Sequence, residues 1–133
     1  MSDCWKWLLA LFLAMSAPMV HAEPLTIRAG ETWVFTVKDG QPIGARKVEA
    51  GSKPARGQIT ASVRAFLGTA LTVTNNSATA YTFRAELLRR GKAAAARSCT
   101  LPGGARPIFE QWPQRADAVR IGDFRAAGDE GRC

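Results

Sequence analysis

After residue 24, apolar and polar positions alternate with a period close to two, the pattern of β-strands that bury one face. Trp33, Phe35 and Val37 alternate with Thr32, Thr36 and Lys38, and Val34 is the one apolar side chain on the polar phase. Asp39-Gly40 is a tight-turn signal, with Ile43 to Glu49 as the returning strand of a hairpin. The Ser-, Lys-, Pro- and Gly-containing stretch from Gly51 to Gly57 predicts a loop. Ile59, Ala61, Val63 and Ala65 alternate with Thr60, Ser62 and Arg64 until Gly68 breaks the run, and Leu71 and Val73 alternate with Thr72 and Thr74. Asn75-Asn76-Ser77 marks a turn before Tyr81, Phe83, Ala85 and Leu87, which alternate with Thr82, Arg84 and Glu86 as far as Arg89-Arg90-Gly91.

The stretch Ala93 to Cys99 has four consecutive alanines, which favour helix intrinsically. Only about eight residues separate Gly91 from Leu101, and that spacing predicts a short edge strand instead. Pro102-Gly103-Gly104 reads as a loop, and Ile108 to Trp112 and Ala118 to Phe124 as the last strands. Seven to nine short strands at this spacing predict an all-β, antiparallel Greek-key β-sandwich of immunoglobulin or cupredoxin type. The alternation names a core of Trp33, Phe35, Val37, Ile59, Val63, Leu71, Val73, Tyr81, Phe83, Leu87, Val119, Ile121 and Phe124. Trp112 is expected to lid the open end of the sandwich rather than stand exposed.

Ahead of the alternating region, Lys6 precedes an apolar run from Leu8 to Met15, then Pro18, then Val20-His21-Ala22. Small residues at the third and first positions before a cleavage point predict a signal peptide over residues 1–22, removed after Ala22. The run is about half of the roughly 20 apolar residues that a bilayer span requires, so no membrane anchor is expected after cleavage. Cys4 precedes the apolar run and leaves with the leader. Residues 23–133 then form one domain in the periplasm or outside the cell. The only His, His21, and all three Met residues lie at or before position 21. The exported chain therefore lacks imidazole, which disfavours histidine-dependent hydrolysis, His-ligated zinc and blue copper.

Lys6 and Asp3 leave together, so the net charge stays at +7, carried largely by 13 arginines. Such a chain is drawn to anionic surfaces or acidic partners, although charge of this kind also simply maintains solubility. Cys99 and Cys133 remain, and an even count in an oxidising compartment predicts a disulfide between them. It would close a loop of about 34 residues and stabilise by about 3.8 kcal/mol on chain entropy. No CxxC spacing supports a redox or metal role for the pair.

At Leu71 to Phe83, a strand, an asparagine turn and an aromatic strand, together with Gly122-Asp123-Phe124, the chain resembles cupredoxin-like sandwiches of bacterial envelopes. The resemblance extends over about Ile59 to Ala126 and implies the fold. Copper-binding members commonly carry a His near the position of Tyr81 and a Cys, His and Met cluster near the C-terminus; this chain has none of those His and Met residues, so no metal or other cofactor is expected. Trp33 to Gly44 is similar to the opening hairpin of several exported proteins and implies only a hairpin.

Catalysis would have to rest on groups other than His. Glu110, Asp117 and Asp123 are the carboxylates available for glycoside hydrolysis, but in a basic chain they are expected as surface ion pairs with Arg106, Arg115 and Arg120. Arg97-Ser98-Cys99 lacks the glycines of a nucleophile elbow, and Gly103-Gly104 lacks the Lys and helix of a phosphate loop. Asn75-Asn76-Ser77 also fits an N-glycosylation pattern, short enough to arise by chance. Arg64, Arg84 and Arg120 fall on the polar phase of their strands and would form a basic binding face if those strands shared one sheet. The sequence thus predicts a non-catalytic binding module for an envelope protein or an anionic surface, not for nucleic acid. The alternative is a structural accessory subunit that pairs through an edge strand.

Overall fold

A computed structural model describes residues 23–128, so the leader predicted over residues 1–22, and Cys133 of the predicted disulfide, lie outside the described residues. Nine strands form: β1 Leu25–Arg28, β2 Thr32–Lys38, β3 Gln41–Val48, β4 Ile59–Arg64, β5 Thr69–Asn75, β6 Tyr81–Arg89, β7 Lys92–Ala96, β8 Pro107–Trp112 and β9 Ala118–Ala126. They make two antiparallel sheets, one of four strands in the order β1-β9-β6-β7 and one of five in the order β3-β2-β4-β5-β8. The sheets pack face to face as a β-sandwich, and the alanine stretch is an edge strand of the smaller one. Its place beside β6 overrides the helical preference of alanine, because pairing supplies the backbone partners that an isolated helical turn would have to nucleate alone.

Tight turns fix the hairpins. Asp39 and Gly40 both take positive φ between β2 and β3, and Arg90 and Gly91 do so between β6 and β7, the two-residue geometry that matches strand twist. Gly68, between β4 and β5, is required by space as well as by its φ of +110°, since a Cβ there would meet the Trp112 carbonyl oxygen at 2.2 Å.

Inward positions build one core. Phe35, Ile59, Val63, Leu71 and Val73 from the larger sheet meet Ile27, Phe83, Ala85, Leu87, Val119 and Ile121 from the smaller. Phe124 sits at the centre of an aromatic group, its ring 5.4 Å from Phe83, 5.7 Å from Phe35 and 5.9 Å from Tyr81. Trp33, Val37 and Tyr81 pack against this core but are only partly buried. The alternation missed β1, whose Ile27 is fully buried, and Leu101, which is buried in the connection after β7 and bridges to Tyr81.

Candidate functional site

The arginine row expected from the alternation is divided by the topology. Arg64 lies on β4 in the five-stranded sheet, while Arg84 on β6 and Arg120 on β9 lie in the four-stranded one. Arg84 and Arg120 do share a face, because Glu86, two residues from Arg84, is the cross-strand partner of Arg120. There the Arg120 guanidinium binds the Glu86 carboxylate at 3.1 Å, which neutralises one of the two cations on that face.

The predicted surface carboxylates are also redistributed. Glu110 is not a surface partner of arginine but a buried side chain on the inward face of β8, between Ile108 and Trp112. It accepts a hydrogen bond from the Cys99 amide, and burial raises its pKa above the ordinary glutamate range. Asp117 accepts from the Arg90 amide at 2.9 Å, and Asp123 pairs with Arg125 at 3.5 Å. Asn75 is fully buried: its side chain donates to the Thr79 carbonyl and accepts from the amide and hydroxyl of Ser77, so it shapes the turn and presents no amide for glycosylation.

Arginines that the alternation left unassigned converge elsewhere. A groove of about 630 Å³ runs between β7 and the segment after β8. Its floor is apolar, formed by Leu87, Ala94, Ala96, Trp112 and Pro113, and its walls carry Arg89, Arg90, Lys92, Arg97 and Arg115. All five cations are exposed, no carboxylate lines the groove, and among the described residues none of the five forms an ion pair.

The far wall is held firmly. The buried Thr69 hydroxyl donates to the Gln114 carbonyl at 2.8 Å and accepts from the Ala116 amide at 2.9 Å. Gly68 lies directly beneath Trp112 and Pro113, and the buried Trp112 indole donates to the Arg97 carbonyl at 3.0 Å, tying the wall back to the end of β7. Asp117, by holding Arg90 in its positive-φ turn, fixes where the Arg89-Arg90 pair stands.

The near wall is an open strand edge. Arg89 and Lys92 flank a two-residue turn and form the first hydrogen-bonded pair of that hairpin, so Ala94 and Ala96 bond to β6 while Ala93 and Ala95 turn their amides and carbonyls outward. Two of the other edges are guarded along their length: β1 has four residues and follows Pro24, and β3 contains Pro42, a positive-φ Gly44, Arg46 and Lys47, whereas β8 has Pro107 at its first residue alone. In β7 only the first residue, Lys92, is charged, and four alanines follow.

Sequence reasoning missed this groove because its cations are spread from position 89 to position 115 and meet only through the connection that carries the chain from one sheet to the other. The signal present in the sequence was the pairing of an alanine edge strand with a basic residue on each side, Lys92 and Arg97. No family model, curated protein or solved structure matches this chain.

Proposed function

We propose that this protein is an exported, non-catalytic binding module that takes an acidic, extended peptide segment of an envelope protein into the groove beside β7. The observation that carries the reading is the juxtaposition of an open alanine strand edge with five cations that form no ion pair among the described residues, over an apolar floor. An extended peptide offers the backbone donors and acceptors that the outward groups of Ala93 and Ala95 lack, its acidic side chains meet the arginines, and its small apolar ones rest on Ala94, Ala96 and Trp112. A lipid headgroup satisfies the cations alone.

Export rests on the leader over residues 1–22, and the cupredoxin-like relationship stays part of the proposal, without copper. The Cys99–Cys133 disulfide belongs to the same reading. Gly128 and Thr100 line a common pocket, and the five residues from Gly128 to Cys133 reach about 17 Å when extended, ample for a bridge to Cys99.

The test is fluorescence anisotropy with a labelled peptide of alternating Asp and Val, its copy N-methylated at alternate amides, and vesicles of anionic phospholipid. The expected result is peptide binding that weakens with salt, fails for the N-methylated copy and is lost in Ala95→Pro, which removes an outward amide without touching a β6 bond. Equal binding by Ala95→Pro, or binding of the vesicles without the peptide, overturns the reading. The structural accessory subunit is favoured by the same open edge, and a peptide complex that survives high salt would identify it.

A further inference from the structure

The outer face of the five-stranded sheet carries a second groove, unrelated to β7 and built from uncharged hydroxyls. Thr32 on β2 pairs with Ser62 on β4, Ser62 with Thr72 on β5, and Thr60 with Thr74 on the neighbouring row. Cross-strand partners of this kind stand about 5 Å apart, and the two rows are separated by two residues along each strand, about 7 Å. The loop between β3 and β4 folds over one side of this lattice and closes a groove of about 530 Å³. That loop is pinned from below: the Asn76 side chain donates to the Pro54 carbonyl at 3.0 Å, and the Gly57 amide donates to the Asn76 carbonyl at 2.7 Å.

Two of the hydroxyl-bearing residues are unusual for an outward face. Thr32 and Thr60 are each only 7% exposed, and neither side chain has a hydrogen-bond partner among the described residues. Among the described residues no buried side-chain oxygen or nitrogen lacks a partner, so both hydroxyls keep their small exposure at the oxygen and open into the groove. Packing does not demand a hydroxyl there, since Val34, on the same face and paired with Thr60, is buried at 4% as a plain hydrocarbon. Five hydroxyls converge on one walled groove, and beside Thr72 in the same row stands Phe109, half exposed on β8.

We infer that this groove binds a neutral oligosaccharide. Hydroxyls that act as both donors and acceptors at sugar-like spacing complement a polyol, and an exposed aromatic ring at the end of the row is placed to stack on the apolar face of a sugar. No carboxylate and only one cation, Lys53, lines the groove, which disfavours a charged ligand. The inference does not depend on the β7 groove, whose lining shares no residue with this one.

The experiment titrates the folded protein with three uncharged probes, maltotriose, cellotriose and chitotriose, at millimolar concentration, and follows backbone amide shifts by two-dimensional NMR. At least one probe is expected to move the amides of Thr60, Ser62, Thr72 and Thr74 together with those of Ser52 and Lys53, independently of salt. The double variant Thr60→Val, Thr74→Val keeps shape and strand preference while removing two hydroxyls, and is expected to weaken that binding at least about tenfold. Phe109→Ala tests the stacking ring separately, with the same direction. If no probe moves these amides, or if the double valine variant binds as tightly as the parent, the inference fails.

Discussion

Two glutamates show how the same side chain acquires opposite proton chemistry from its surroundings. Glu31 receives a hydrogen bond from Lys47, whose Nζ lies 2.9 Å away, and another from the Arg28 amide, and these hold its pKa at about 2. Its folded pKa is depressed, so its contribution is present above the ordinary value of 4.5 and is lost as pH falls toward 2. Denaturant midpoints of Glu31→Gln are therefore expected to lie below those of the parent at pH 6 and to converge with them near pH 2. The effect is small because the Lys47 ammonium is exposed to screening solvent. Glu110 behaves in reverse. Burial raises its pKa, only partly opposed by the Cys99 amide, so the fold prefers the protonated acid and loses stability as pH rises above 4.5. Glu110→Gln is expected to raise the denaturant midpoint at pH 7 and to leave it nearly unchanged at pH 4. A midpoint at pH 7 equal to or below the parent's would show that the ionised carboxylate is the form the sandwich favours.

At the scale of the element, strand identity was legible and strand company was not. The alternation of Trp33, Phe35 and Val37, or of Ile59, Ala61 and Val63, reports which face is buried, and each of these runs became a strand. It says nothing about which sheet a strand joins, so the condition for one row of Arg64, Arg84 and Arg120, a shared sheet, is decided only by the topology, which puts Arg64 in the other sheet. Glu110 was recoverable from pattern alone, since it stands two residues from both Ile108 and Trp112 and shares their inward phase. The expectation of a surface ion pair placed charge above phase. The Thr60, Ser62, Thr72 and Thr74 alternation was visible too, but its register across β4 and β5 and the loop above it came only with the fold. Gly68 is the element-level residue most exposed to test. Gly68→Ala sets a Cβ against the Trp112 carbonyl in a backbone conformation that L residues avoid, and is expected to cost about 2 kcal/mol or more while displacing the wall that carries Arg115. Thermal denaturation reads the first effect. A change in Trp112 fluorescence below the transition reads the second.

For the whole molecule, charge is distributed unevenly rather than merely in excess. Five cations gather at one groove with no counter-ion among the described residues, whereas Arg120, Arg125 and Lys47 are each paired. The net +7 thus has a local component that composition alone could not locate. Charge reversal at Arg89 and Arg115 is expected to lower affinity for the acidic peptide by roughly fivefold per site at low salt, with little change in thermal stability, because neither residue supports a neighbour through an ion pair. Equal affinity of the reversed and parent proteins would show that the cations are solvated decoration.

The order of strands also governs when the molecule can come into being. β9, the last strand described, sits between β1 and β6, so the four-stranded sheet has no centre until that segment arrives. Among the described strands β1 pairs only with β9, across 89 residues of intervening chain (117 − 28). Hairpins such as β2–β3 and β4–β5 can form early from local contacts, but closing the sandwich waits on its most distant pairing, which places this chain among slow folders dominated by long-range contacts. During synthesis the growing polypeptide therefore leaves β1 and β6 without their shared neighbour until Ala118–Ala126 has been made, so the four-stranded sheet assembles around its latest strand.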